Sequence, residues 1–264
     1  MRTDVADTPD GAMEGANGRQ RLATWRWRLE RHRRVRDLEV AIPGARRTYL
    51  IAAPADPDAV LDELAAAQEL AGLAEPEPHL PYWATPWASG LALAEVVLAR
   101  QGAARGRRVL ELGCGLGTTA AAALEALDGA GTLTAADCIA ETLAYCRYNA
   151  LRNAGRAPRL VLADWRTERG REALLRVSPF DLVLAADVLY EPEDVTPLLE
   201  LAPRLTGPGG AFWLAEPGRT TSARFVEAAR ARGWQEETEE MERDWPAGAG
   251  LARVRVHCYG PFTG

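Results

Sequence analysis

The stretch VLELGCGLGTT, Val109 to Thr119, decides how the rest of the chain is read. An apolar run stops in a loop with glycines at 113, 115 and 117, then resumes as AAAALEAL. That pattern is strand, tight turn, helix. Glycine reaches positive φ without steric cost and lets backbone N–H groups press close to a ligand. The helix start behind the loop offers unpaired N–H groups and the positive end of a dipole, both suited to an anion. The turn reads as the first βα unit of a nucleotide-type binding sheet.

Downstream of this turn the chain alternates strictly. Strands are expected at 107–112, 131–136, 159–163, 180–186 and 210–215, with helices at 117–127, 139–154, 168–176, 194–205 and 220–232. Alternating βα units give an α/β fold with a doubly wound, mostly parallel sheet covered on both faces. After Gly233 two more strands, about 234–243 and 250–259, are joined by the short DWPAGAG. So short a connection makes them an antiparallel C-terminal hairpin, completing seven strands. The acidic GWQEETEEMERD reads as an edge strand protected by its charge.

Upstream, residues 1–20 are polar and expected to be a disordered tail. LATWRWRLERHRRVR puts Leu22, Trp25 and Leu29 on one helical face, with six arginines from Arg26 to Arg36. A solvated face with packed tryptophans is the favoured reading, and contact with RNA the other. DLEVAIPGARRTYLIAAP alternates around Pro43-Gly44 as a hairpin. Asp56-Pro57 then opens a helix expected to reach about Leu70, EPEPHLP (75–81) is an extended connector, and Thr85-Pro86 opens a helix closed by Gly102. The expected organisation is a tail (1–20), an N-terminal extension (21–80) and a ligand-binding domain (81–264).

Composition excludes several classes. No apolar run approaches the roughly 18 residues of a membrane span, and the first residues lack a signal peptide's apolar segment. The expectation is a soluble, cytoplasmic protein. All 31 basic residues are arginine, which removes Schiff-base chemistry and any P-loop. A net charge of −6 gives no reason to expect a nucleic-acid partner. Cysteines 114, 138, 146 and 258 and histidines 32, 79 and 257 form no ligand pairs, so no metal site is expected. Cys114, inside the glycine loop, reads as a small buried residue rather than a nucleophile.

The ligand follows from spacing and charge. Dinucleotide folds use GxGxxG, and here the third glycine arrives one residue early. Strand ends carry Glu111, Asp137, Asp164 and Asp187, and ligands of open α/β sheets bind at those ends. Asp137, about twenty residues past the loop, is placed to accept ribose hydroxyls. Four carboxylates would repel a pyrophosphate but accept a cationic sulfonium with an amino-acid tail.

On these residues the chain resembles the class I, seven-β-strand, S-adenosylmethionine-dependent methyltransferases over roughly residues 80–260. More narrowly it is similar to the family 16 protein-lysine methyltransferases, through PYWATPWASGLALA (81–94), DVLY (187–190) and AEPGR (215–219). The branch it looks most like modifies lysines of the electron-transfer flavoprotein β-subunit. It departs from that branch at Ser89, where a second glycine is usual, and at Glu216, where aspartate is usual. It also lacks the Asn-Pro-Pro-Tyr of adenine and glutamine N-methyltransferases. The resemblance implies that the backbone of Gly113, Cys114, Gly115 and Gly117 cradles the methionine moiety, with Glu111 on its ammonium side. It implies that Asp137 binds the ribose hydroxyls, that Cys138 belongs to the same cofactor site, and that Asp164 and Trp165 frame the adenine. Ala186 and Trp87 would line the pocket, and Asp187 and Tyr190 would act beside the transferring methyl. The implied activity is N-methylation of a protein lysine, the electron-transfer flavoprotein β-subunit being one such partner. A small amine of the nicotinamide kind is the alternative substrate, and a non-catalytic binding module the third reading.

Overall fold

The computed structural model describes residues 16–60, 62, 63, 82–245 and 250–262. Its centre is a seven-stranded sheet. β3 (Arg108–Leu112), β4 (Thr132–Asp137), β5 (Arg159–Leu162), β6 (Phe180–Ala186) and β7 (Thr206–Glu216) run parallel. β8 (Glu236–Asp244) and β9 (Leu251–Tyr259) pair antiparallel, and β9 lies antiparallel to β7. The order across the sheet is β5-β4-β3-β6-β7-β9-β8. It reverses between β3 and β6, and this switch point opens the crevice where a ligand can sit.

Period-2 alternation sends side chains to two separate cores. Val109, Leu182, Leu184, Trp213 and Ala215 face one; Leu110, Leu112, Val183, Ala185, Phe212 and Leu214 face the other. The first is covered by α2 (Ala88–Ala99), α4 (Thr118–Ala126) and α5 (Ala140–Ala154), with a short α3 (Gln101–Ala104) after α2. The second is covered by α6 (Glu168–Leu175), α7 (Pro192–Leu205) and α8 (Thr220–Ala231). Every residue of α4 is buried, and its alanine run lets the helix lie close to both sheet and neighbours.

The strands and helices begin and end within a few residues of their expected positions. Within the sheet, β7 differs most, starting at Thr206 rather than 210. Its first residue pairs with Phe180, and a register shift then brings Ala211 opposite Leu182. β8 is an edge strand as its charge suggested, with Arg100 of α3's approach holding Glu237 and Glu239.

The N-terminal elements pack onto α5. α1 (Ala16–Glu30) begins inside the stretch expected to be disordered, because Leu22, Trp25 and Leu29 find partners in the first core. Residues 1–15 lie outside the described residues. β1 (Val35–Val40) and β2 (Tyr49–Pro54) form the expected hairpin. Two asparagines of α5 bond its exposed edge. Asn149 accepts from Ala52 N at 2.8 Å and donates to Ala52 O at 2.9 Å. Asn153 does the same with Leu50 at 2.9 and 3.1 Å. Asp56 caps the next helix through the N–H groups of Asp58 and Ala59. The rest of the stretch expected as a helix to about Leu70, and the connector 75–81, fall outside the described residues. Among the described residues, no helix is long and apolar enough to cross a membrane.

Candidate active site

The glycine loop owes its shape to three left-handed residues: Gly113 at φ 67°, Gly115 at φ 48° and Gly117 at φ 79°. A side chain at Gly113 would meet Val188 Cγ1 at 2.7 Å, and one at Gly117 the Cys146 backbone at 2.7 Å. The third glycine, although one residue early, therefore does what the last glycine of a dinucleotide loop does: it lets a helix, here α5, approach. Asn149 of that helix also donates to Leu116 O at 2.8 Å, pinning the loop from behind.

The loop opens on a cavity of about 1300 Å³ above the carboxyl ends of β3, β4, β5 and β6. Twelve of the thirteen residues expected at the site line it: Trp87, Glu111, Gly113, Cys114, Gly115, Gly117, Asp137, Cys138, Asp164, Trp165, Ala186 and Tyr190. Asp187 does not. It sits in the left-handed region at φ 51°, with its N–H on Ala215 O of β7. Its carboxylate is thereby given to Arg219, on the turn after β7, at 3.0 and 3.4 Å.

Each acid has a distinct environment. Glu111 is 2% exposed, and burial pushes its carboxyl well above the ordinary range, helped by the Asp137 charge and opposed by Thr119 and the Ala120 N–H. Its Oε2 has no hydrogen-bond partner. Asp137 accepts the Gly115 N–H on Oδ2 and the Ile139 N–H on Oδ1, both at 3.0 Å. Burial still raises its pKa, with those two bonds pulling the other way. Asp164 is held by Arg166, whose backbone N–H and Nε reach Oδ1 at 2.9 and 3.0 Å. Burial pushes the nearby Cys138 thiol up to about 12.

Trp165 Nε1 and Thr118 Oγ1 join Glu111 Oε2 as buried polar atoms without partners, and all three residues line the cavity. Buried polar groups are rarely left unpaired, so these three are open to a bound molecule. An indole donor, a hydroxyl and a carboxylate acceptor fit a molecule carrying ring acceptors, a carboxylate and an ammonium.

An aromatic wall closes one side. Tyr190 stacks on Tyr82 at 5.0 Å, and Tyr82 meets Trp87 edge-on at 6.2 Å. Trp87 donates its Nε1–H to Tyr82 O, locking the turn that starts α2. The Arg219 guanidinium lies 5.7 Å over the Tyr190 ring. Burial raises the Tyr190 phenol, and the Asp187 charge adds to it. Tyr82, Trp83 and Arg219 were not singled out as site residues. The strand-end rule that selected Asp187 also covers the turn after β7, and applied there it reaches Glu216 to Arg219. Glu216 fixes that turn, accepting from Gly218 N at 2.5 Å and Arg255 Nη1 at 3.2 Å.

Sheet order, glycine loop and strand-end acids together define the class I, seven-β-strand methyltransferase fold. Residues 109–210 match the family model described as "Methyltransferase domain". Among curated proteins, the chain is similar to the electron transfer flavoprotein beta subunit lysine methyltransferase of Mus musculus, at 35% identity over 126 residues, covering 46% of this chain and 44% of that one. The protein of the same name from Xenopus laevis is 32% identical over 142 residues, 53% of each chain. The matches thus span about half the length of these curated relatives. Among solved structures, the fold is shared with precorrin-6y C5,15-methyltransferase from Geobacter metallireducens, at a TM-score of 0.52 and 16% identity, covering 65% of this chain and 89% of that one. TrmN from Thermus thermophilus gives a TM-score of 0.50 at 25% identity, over 65% and 49% of the two chains.

Proposed function

We propose that the protein is an S-adenosylmethionine-dependent N-methyltransferase acting on lysine side chains of a protein substrate. The observation that carries this reading is the unpartnered Glu111 Oε2, buried beside the left-handed glycine loop and facing the cavity. A buried carboxylate oxygen without a partner is costly, and a ligand ammonium is the group that would offset it. Glu111 would hold that ammonium and the 113–117 backbone the amino-acid tail. Asp137 would take the ribose hydroxyls on its remaining lone pairs, with Cys138 alongside, while Asp164 and Trp165 frame the base and Ala186 and Trp87 line the pocket. When bound, S-adenosylmethionine supplies a methyl group on a positively charged sulfur.

The chain's own task is then positioning and electrostatics. Tyr82, Trp87 and Tyr190 wall off water and offer aromatic faces to a cationic side chain. A lysine arrives charged, with a reference pKa of about 10.4, and must lose a proton before it attacks. A neighbouring positive charge lowers that pKa. Asp187, ion-paired with Arg219 and set back from the cavity lining, is the group that would orient the amine and accept its proton through water. Lysine as acceptor rests on the two curated relatives, whose names specify it. The electron-transfer flavoprotein β-subunit is the first candidate substrate on the same ground.

The test is transfer of labelled methyl groups in a lysate of the source organism, with products separated by size. A labelled protein band supports the proposal. Label confined to small molecules would replace the protein substrate by an amine metabolite. No label, together with no calorimetric binding of S-adenosylmethionine, would remove the activity altogether. Because the chain has no lysine, label on its own peptides would need another acceptor.

A further inference from the structure

From residue 16 to residue 36 the chain carries eight arginines against one glutamate, Glu30, within a net charge of −6. The structure divides seven of these arginines in two, the half-buried Arg21 standing apart. Arg26 is held by Glu30 at 2.7 Å and Asp37 at 2.6 Å, and Arg33 by Glu141 at 2.6 Å and Glu63 at 3.1 Å. Arg19, Arg28, Arg31, Arg34 and Arg36 are exposed, and none of them enters an ion pair among the described residues. They form a positive surface along α1, the turn that follows it and the start of β1.

A second feature lies on the same helix. Gln20, Arg21, Thr24, Trp25 and Arg28, spaced to share one face, line a cavity of about 440 Å³. Trp25 has two guanidinium groups over its ring, Arg28 at 4.6 Å and Arg147 of α5 at 5.1 Å. Trp27, 57% exposed, has Arg31 over its ring at 5.0 Å.

We propose that this face of α1 docks an acidic segment of a partner protein, one carboxylate of which seats on the exposed guanidinium of Arg28. The planar guanidinium fork matches a carboxylate in two-point hydrogen bonding, and stacking on an indole pre-orients the fork. Charge argues against nucleic acid: a long polyanion would leave the patch and meet the acidic remainder of the chain, whereas a short acidic segment meets only the patch.

Position gives the surface its purpose. Arg33, just beyond the C-terminal end of α1, lines the main cavity. A partner laid along α1 therefore reaches the cavity mouth with the residues that flank its acidic segment. This part rests on the protein-lysine reading above: the docked partner is the substrate, and its target lysine lies next to acidic residues.

The experiment is fluorescence anisotropy with a labelled short polyglutamate peptide, in parallel with polyglutamine and oligouridylate, at about 50 and about 200 mM salt. Polyglutamate should bind best and weaken at the higher salt. The variant Arg28→Glu/Arg31→Glu/Arg34→Glu, all exposed and outside the main cavity, should lose about tenfold or more in polyglutamate affinity. Its calorimetric affinity for S-adenosylmethionine should stay at the wild-type value, which also certifies folding. Unchanged polyglutamate binding in the variant, equal binding of polyglutamine, or tighter binding of oligouridylate would each overturn the proposal. Failure of the wild type to bind S-adenosylmethionine would strike the methyltransferase reading and leave the docking result standing.

Discussion

The Arg219 guanidinium takes both carboxylate oxygens of Asp187, Nε to Oδ1 at 3.0 Å and Nη2 to Oδ2 at 3.4 Å. The Asp187 side chain is 7% exposed and that of Arg219 37%, so the pair is buried from one side only. Replacing Arg219 by Gln leaves a buried carboxylate without its countercharge. We expect a stability loss of about 1–2 kcal/mol, less than for a fully buried pair because Arg219 itself meets solvent. Asp187→Asn in the Arg219→Gln background should cost less than the sum of the two single changes. Urea denaturation of the four proteins measures this, and strict additivity would show that the contact carries no coupling.

Asp187 is also the residue proposed to manage the substrate proton. Asp187→Ala should fold, bind S-adenosylmethionine as the wild type does, and lose methyl transfer by roughly 10² or more. Near-normal turnover would reassign that role.

Glu111 makes donor binding depend on pH in a defined direction. In the ligand-free protein, burial holds its carboxyl well above the ordinary range. A bound ammonium favours the charged form, so binding should expel a proton while pH is below that raised value. Donor affinity should therefore rise with pH and level off once the ligand-free carboxyl is already ionised. Calorimetry in buffers of different ionisation heat reads the released proton directly. Glu111→Gln should abolish the release and weaken binding by about tenfold or more. A wild type that releases no proton would contradict the role given to Glu111.

Two glycines with the same φ of 79° separate backbone strain from packing. A Cβ at Gly129 meets nothing within 4 Å, whereas one at Gly117 runs into the Cys146 backbone at 2.7 Å. Gly129→Ala should cost about 1 kcal/mol through conformation alone. Gly117→Ala should cost about 1–3 kcal/mol more, because α5 must move away. Thermal or urea unfolding compares them, and equal losses would mean that α5 adjusts freely.

The parallel sheet was legible because buried strands and amphipathic helices write their periods into local sequence, as in VLELGC and DLVLAAD. The cavity was legible for the same reason: strand ends in a βα fold are known once the strands are, so Glu111, Asp137 and Asp164 fell into place together. What stayed hidden depends on residues far apart in the chain. Asp187 meets Arg219 across 32 positions, and nothing local in DVLY records that its carboxylate is taken. The strand was expected only from 210, yet Thr206 already pairs with Phe180, since a neighbouring strand can hold residues with little strand preference. The start of α1 was read as a tail because its few apolar anchors gain their worth only against α5.

One amide unites regions that the chain order keeps apart. Asn149 spends its two N–H donors on Ala52 O of the N-terminal hairpin and Leu116 O of the glycine loop. The hairpin is thus not an accessory that can be trimmed or traded between relatives as a cassette. A change made in the hairpin would therefore be felt at the glycine loop, although the two lie some sixty residues apart in the chain.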